Sequence, residues 1–407
     1  MSTVENRNLA TIFIVATVLL NAMAVGIVIP ILPALIVQLT GSSADAGVTN
    51  GLLIALVAVL QFLVAPLLGA LSDCFGRRPV LLVSTAGLAC DYAIMATAPS
   101  VAWLYLGRVV AGISSATGSA VNAYVADTTH TVERARVYGL VGAAASSGGI
   151  VGQLLGGALA GVSLRAPFWA AGALTALAFV YGSLILPESL APSRRTDLRW
   201  RCASPTSAIA WLYSRRELRS LTAVYLLVYG ANAAFSVIFV LYVQYRYHWS
   251  LGRTGAILAA SSLFDIIVQA LAVGPMIRHF GERVTVISGL IAGLVAYGCM
   301  GLAENEAIFI LALVPLGMGM VVTPALQSAM TRRVSESEQG RLQGSVVSIS
   351  CVSLAVAPII FGGVYSSTAT SFIDKAQPGE AFLVAACMLL GAAVCAAATT
   401  ENTPDDH

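Results

Sequence analysis

An all-α membrane protein of twelve transmembrane helices, folded as two six-helix bundles, is what this sequence predicts, and three observations carry the prediction. The 407 residues are 57% hydrophobic and only 10% charged, against about 25% charged in soluble proteins, so most of the chain cannot face water. Apolar stretches of roughly 20 residues, each able to cross about 30 Å of hydrocarbon, recur twelve times. The two sets of six share features at one common sequence offset.

In chain order the spans are predicted at 9–38, 48–71, 79–98, 101–125, 137–161, 167–186, 220–243, 253–277, 284–302, 306–331, 342–364 and 380–399. The first is of full spanning length and lacks a small-residue cleavage site, so it reads as a retained helix and not a signal peptide. Between Pro187 and Arg219 the hydrophobicity breaks into a segment rich in Arg, Ser and Pro. That break divides the chain into an N-terminal bundle (1–186), a linker (187–219) and a C-terminal bundle (220–407). The linker's arginines either contact anionic lipid or only set topology.

Of the 22 Lys and Arg residues, 17 fall on one side of the membrane if the N-terminus is cytoplasmic; Arg165, Arg246, Arg253 and Lys375 fall opposite, and Arg108 lies within a span. An even number of spans then places both termini in the cytoplasm by the positive-inside rule. Seven cysteines are scattered, five of them (Cys90, Cys299, Cys351, Cys387 and Cys395) inside apolar spans, where they act as small hydrophobes. Their spacing suggests neither a metal site nor a disulfide, and no cofactor is expected.

A shift of 205 residues superposes the halves. Gly69, Asp73, Gly76 and Arg78 fall on Gly274, Arg278, Gly281 and Arg283; Glu133, Arg136 and Gly139 fall on Glu338, Arg341 and Gly344; Gly112 falls on Gly317 and Gly157 on Gly362. Such self-similarity indicates duplication. Two parallel six-helix repeats place a substrate cavity at mid-membrane and expose it alternately to each side by rocking. Architecture of this kind points to transport without naming a substrate.

The turn after the second span reads GALSDCFGRR, from Gly69 to Arg78. It resembles the signature G-x-L-x-D-x-x-G-R-R/K of the major facilitator superfamily. Its glycines permit a tight turn and close approach, Asp73 supplies a carboxylate, and Arg77 and Arg78 supply its partners. The resemblance implies that Asp73 braces a cytoplasmic gate against the start of the eleventh helix near Arg341, where a helix N-terminus favours a carboxylate. Arg136 and Arg341, equivalent in the two halves, are counted with that gate.

Further stretches, LNAMAVGIVIPILP from Leu20, CDYAIMATAPSVAWLYLGRVVAGISSATG from Cys90, and TPALQ with EQGRLQG in the second half, resemble the tetracycline efflux group of drug/proton antiporters. Asp91 is a carboxylate in an apolar third span, where an ionised acid costs about 2.5–3.5 kcal/mol on insertion scales. A group so placed can gain and lose a proton as the cavity alternates, and the resemblance implies that role. The alternative is an acid wetted from outside. Arg108, four residues before Gly112, matches the R-x-x-x-G pattern of proton-coupled members and keeps its charge at every accessible pH. It either answers a carboxylate or a substrate anion, or snorkels outward as an anchor.

Asp265, within SSLFDIIVQALA of the eighth span, is read as the second protonation site; the group commonly carries an acid at the centre of the ninth helix, where this chain has Gly293. Asn21 stands where the group has an acid in the first helix, and Gln153 where the antiporter motif of the fifth has proline. Gly148, Gly152 and Gly156 allow close helix contact, a face typical of exporters in the superfamily, and without the proline the helix bends less. Asn21, Asn122, Gln153, Asn232, Phe235, Gln269 and Gln327 are the expected substrate lining, since amides inside a span need a partner or water. Of the aromatics Tyr92, Tyr124, Tyr225, Tyr229, Phe239 and Tyr242, most are expected to pack structurally.

The expected activity is therefore export of a small amphipathic, tetracycline-like compound against inward protons, by a monomer in a bacterial inner membrane. Its partners are the substrate, protons and the lipid bilayer. Short loops leave no folded domain for nucleic acid or nucleotide, and no nucleophile with a nearby base, metal cluster or phosphate loop marks an enzyme. A metabolite or siderophore symporter or uniporter on the same scaffold, and a non-transporting receptor, are the competing readings.

Overall fold

Backbone N–H and C=O groups find no water in hydrocarbon, so a chain this apolar must pair them within each segment. The computed structural model, which describes residues 3–114, 117–129, 131–190, 195, 205–335, 338–370 and 379–398, does so with helices alone among the described residues. The first half contains α1 (Thr3–Val28), α2 (Leu32–Thr40), α3 (Ser43–Phe75), α4 (Arg77–Thr97), α5 (Val101–Ser114), α6 (Thr117–Thr128), α7 (Thr131–Ala160) and α8 (Ala166–Ile185). After them come α9 (Pro205–Ser214), α10 (Arg216–Tyr247), α11 (Leu251–Leu302), α12 (Glu306–Leu311), α13 (Leu313–Met318), α14 (Val322–Thr331), α15 (Gln339–Thr370) and α16 (Glu380–Ala398), with a 3-10 turn at Gly319–Val321 between α13 and α14.

Among the described residues, ten helical stretches are long and apolar enough to cross a membrane. One of them, α11, is 52 residues long and bends at Gly281, whose φ of 77° is open to glycine at little cost; its two limbs cover the predicted eighth and ninth spans. The helices α5 and α6 cover the predicted fourth span on either side of residues 115–116, which lie outside those described. The predicted first span is broken near Pro30, where α1 gives way to α2. Linker residues 191–194 and 196–204, including the arginines at 199 and 201, also lie outside the described residues.

The outward surfaces carry what lipid requires. Leu63, Val83, Leu184, Leu271 and Leu311 all expose more than half their side-chain area, an arrangement that would aggregate in water. Inside the helices Thr85, Thr175, Thr285 and Ser345 turn their hydroxyls back onto the carbonyl four residues earlier, which satisfies a polar group without an outside partner.

Two compact units are present. The first comprises 1–41, 56–204 and 249–259, and the second comprises 42–55, 205–248 and 260–407. In the first, α1 packs on α7 and α8, and α4 packs on α5 and α8. Glycines set the α1–α7 distance: a Cβ on Gly148 would stand 2.5 Å from the Leu19 carbonyl oxygen, and Cβ atoms on Gly152 and Gly156 would strike the carbonyls of Met23 and Ile27. Replacing any of the three forces the helices apart. Its core gathers Phe13, Ile14, Leu81, Tyr124, Val125 and Leu186.

In the second unit α10 is the central helix, packed on α15 and α16. Asn50 donates from Nδ2 to the Val237 carbonyl at 2.8 Å in a buried contact. An aromatic stack of Phe239, Tyr242, Phe309 and Phe382 fills one end. The repeat offset reappears as geometry, because Gly157 beside Gly252 in one unit corresponds to Gly362 beside Gly47 in the other.

Candidate functional site

The charged turn after α3 is built from both sides of Gly76, which adopts φ 109° and ends the helix. Asp73 and Arg77, one turn apart, form an ion pair. Arg77 also reaches Asp127 at the end of α6, Nε to Oδ2 at 3.1 Å, and donates from Nη1 to Ser72 Oγ at 3.2 Å. Glu188, just beyond α8, accepts the backbone N–H groups of Arg77 (2.8 Å) and Arg78 (3.2 Å), so a carboxylate caps the otherwise unpaired start of α4. A Cβ on Gly76 would overlap the Glu188 carboxylate. Arg78 donates to the Ser183 carbonyl at 2.7 Å.

Gly69 departs from the expectation of a tight turn or close approach. It lies inside α3 with nothing within 4 Å of where its Cβ would be. The turn needs glycine at 76 and not at 69.

Asp91 on α4 and Arg108 on α5 are brought together. The Arg108 guanidinium pairs with Asp91 Oδ2 and also lies 2.7 Å from Met95 Sδ. Asp91 has no exposed surface, so the reading of an acid wetted from outside is corrected. Both residues sit on facing helices of one bundle, where α4 packs on α5. Asp91 Oδ1 and Arg108 Nε are buried with no hydrogen-bond partner. Gly107 makes room for the acid, since a Cβ there would lie 2.7 Å from Asp91 Oδ1. A buried pair with one carboxylate oxygen unused can carry a proton without losing its cation contact.

Asp265, on the first limb of α11, is half-buried and no cation among the described residues pairs with it. It occupies, at the 205-residue offset, the place of Leu60. Leu60 lies against Gly112 and Asp265 against Gly317, where a Cβ would come within 2.8 Å of Asp265 Oδ1. A side chain at Gly293 would displace Leu389, whose Cδ1 lies 2.7 Å from the Cβ position, beside a niche of about 10 Å³.

The predicted polar lining divides. Gln153 is buried, and its backbone carbonyl stands 2.5 Å from where a Cβ on Gly255 would lie, so α7 and α11 approach closely there. Asn21 Oδ1 is buried without a partner. Asn122 is exposed and its carbonyl accepts the Tyr138 hydroxyl at 3.1 Å. Asn232 Oδ1 accepts from Tyr297 and Gln327 Nε2 donates to Tyr225, each at 3.4 Å. Gln269 is exposed, and Phe235 packs on Phe239. Tyr92, Tyr124, Tyr225, Phe239 and Tyr242 are buried packing residues.

Arg136 is exposed and lines a cavity of about 320 Å³ with Thr11, Thr128, Thr129, Glu133 and Leu140. Arg341 lies over the Trp211 ring at 4.9 Å, and Arg215 approaches the same ring while pairing with Glu338. The helix α9 is thereby docked on the start of α15. Sequence reasoning missed Asp127, Glu188, Met95 and Trp211. An acid at the end of an apolar span was a usable signal for Asp127 and Glu188; nothing local marked Met95 or Trp211.

A family model described as the Major Facilitator Superfamily matches residues 14–220 and 221–407. The chain is 36% identical over 383 residues to the tetracycline resistance protein, class C, of Escherichia coli, covering 94% of this chain and 95% of that one. It is 37% identical over 350 residues to the class G protein of Vibrio anguillarum, covering 86% and 88%. Among solved structures it resembles the human organic anion transporter MFSD10 (TETRAN), with a TM-score of 0.70 and 25% identity over 96% of this chain and 99% of that one.

Proposed function

The chain belongs to the major facilitator superfamily, a multi-pass membrane transporter and not an enzyme, and from that premise we propose that it exports a tetracycline-like amphipathic compound in exchange for protons. The observation that carries the proton coupling is Asp91: a carboxylate without exposed surface, paired with Arg108, with one oxygen unpartnered. The substrate class rests on the tetracycline resistance proteins to which the chain is similar over most of its length.

In this reading the protein lies in a bacterial inner membrane with both termini cytoplasmic. Alternating access opens a mid-membrane cavity first to one side and then to the other. Asp91 takes up a proton when its surroundings open outward and releases it inward, with Arg108 holding the carboxylate in place and favouring release. Asp265 is the second titrating acid, and with no cation partner among the described residues it changes charge without breaking an ion pair. Each inward proton supplies about 2.3 kcal/mol per 100 mV of membrane potential. Asp73, Arg77 and Arg78, with Gly76 at the turn, form the gate on the arginine-rich side, joined by Arg136 and Arg341. Asn21, Asn122, Gln153, Asn232, Phe235, Gln269 and Gln327 are the candidate substrate lining, since amides inside a span need a partner or water.

The test is a transport screen in proteoliposomes, with and without an imposed pH gradient, across tetracyclines and other amphipathic compounds. Gradient-dependent accumulation of a tetracycline is expected. Asp91→Asn abolishes it while the protein is still made and inserted. Concentrative transport by that variant at the wild-type level removes Asp91 from the mechanism, and flux of a different compound class with no tetracycline movement overturns the substrate reading.

A further inference from the structure

The offset of 205 residues carries Asp73, Arg77 and Asp127 onto Arg278, Glu282 and Arg332. Every charge in the set changes sign: minus, plus, minus in the first half becomes plus, minus, plus in the second. The local geometry nevertheless repeats. Gly76 at φ 109° precedes Arg77, and Gly281 at φ 77° precedes Glu282. From there each central residue reaches the end of the next helical span in its own unit. Arg77 Nε meets Asp127 Oδ2 at 3.1 Å, and Arg332 Nε meets Glu282 Oε1 at 3.2 Å.

In both sets the central residue is the sheltered partner. The side chain of Arg77 is 13% exposed against 24% for Asp127, and that of Glu282 is 16% exposed against 74% for Arg332. A serine joins each centre: Arg77 Nη1 donates to Ser72 Oγ at 3.2 Å, and Ser328 Oγ donates to Glu282 Oε1 at 2.5 Å. Coulomb attraction depends on the product of the two charges, so exchanging both signs leaves the pair energy unchanged. Exchanging one turns attraction into repulsion.

We propose that Glu282 is a positioning residue of the transport cycle, holding the start of the second limb of α11 to the end of α14 as Arg77 holds α4 to the end of α6. The two turns are one device written in opposite polarity. The second copy is the lighter one. No ion pair joins Arg278 to Glu282 where Asp73 pairs with Arg77, and the place of the Glu188 cap is taken by Ala393. The proposal rests on the transporter reading for its effect on rate and on geometry alone for its effect on the turn.

The experiment compares E282R, R332E and the double exchange E282R/R332E in the full-length protein, with tetracycline as the probe in proteoliposomes. Each single variant is expected to lower the maximal rate roughly tenfold with KM within about twofold, because positioning changes a conformational step and not ligand contact. The double variant recovers most of the rate. Amide hydrogen exchange is read in parallel over 282–290 and 322–332, faster in the singles and restored in the double. If E282R does not fold, E282Q, which keeps an acceptor for Ser328 but loses the charge, takes its place. Singles that transport and exchange amides like wild type, or a double no better than either single, overturn the proposal. A wild-type protein that moves no tetracycline overturns the substrate reading instead, and amide-exchange rescue still decides the latch.

Discussion

Asp91 and Asp265 are both acids on apolar helices, yet their surroundings differ in kind. Asp91 is sealed, gripped by Arg108 and pressed by Gly107. Asp265 is half-buried, lies against Gly317, and pairs with no cation among the described residues. In the first half a buried charge is compensated locally, so removing it leaves another charge stranded. In the second half an acid replaces what the repeat keeps as Leu60, and among the described residues no ion pair depends on its charge. Burial and pairing are thus separate properties, and each half carries a different combination of them.

The widest separation is expected from the isosteric amides. Asp91→Asn lowers gradient-driven flux by about 100-fold or more and also lowers the thermal unfolding midpoint, since breaking a buried pair by removing one partner costs about 3–5 kcal/mol. Asp265→Asn lowers gradient-driven flux by roughly tenfold while the midpoint stays in place, because no ion pair is lost. Equal midpoint changes in the two variants would erase the contrast. Proteoliposome flux and thermal unfolding in detergent read both outcomes.

Arg108→Lys sharpens the first half: it keeps the charge but not the planar guanidinium whose Nη2 meets both Asp91 and Met95, and flux is expected to fall several-fold, about tenfold at most. Gly317→Ala sharpens the second, pressing a methyl group against Phe264 and Asp265 Oδ1; a drop in flux of about threefold is expected from the displaced acid. The smallest effect belongs to Gly69→Ala. With open space around that position, transport stays at the wild-type value, and stability is unchanged or raised by up to about 1 kcal/mol through helix propensity. A large loss in that variant would return Gly69 to the turn.

Much of the frame was legible in the sequence. Helix positions followed from the length of apolar runs, and the bend in α11 fell at the glycine that the repeat had matched to Gly76. Gly148, Gly152 and Gly156 were readable as a close-contact face because a spacing of four keeps them on one side of a helix. The site was legible in part. Asp91 and Arg108 stood out as charges in apolar runs, but their pairing did not, because 17 residues of sequence separate them and a turn between helices decides which faces meet. Gln153 was legible as a polar residue inside a span, but its burial where the backbones of α7 and α11 meet was not. Arg341, counted with the gate, lies over Trp211, a contact that the sequence did not show because it depends on how the linker helix folds back.

By itself the sequence determined that this protein is helical, membrane-embedded and internally duplicated, since hydrophobic length and repeat offset are properties of the linear chain. Only the tertiary structure decided which charges neutralise one another: Arg108 with Asp91, Arg77 with both Asp73 and Asp127, Arg332 with Glu282. The reason is physical. Ion pairing falls off within a few ångströms, and at that range lateral packing and helix rotation, which no single span encodes, choose the partner.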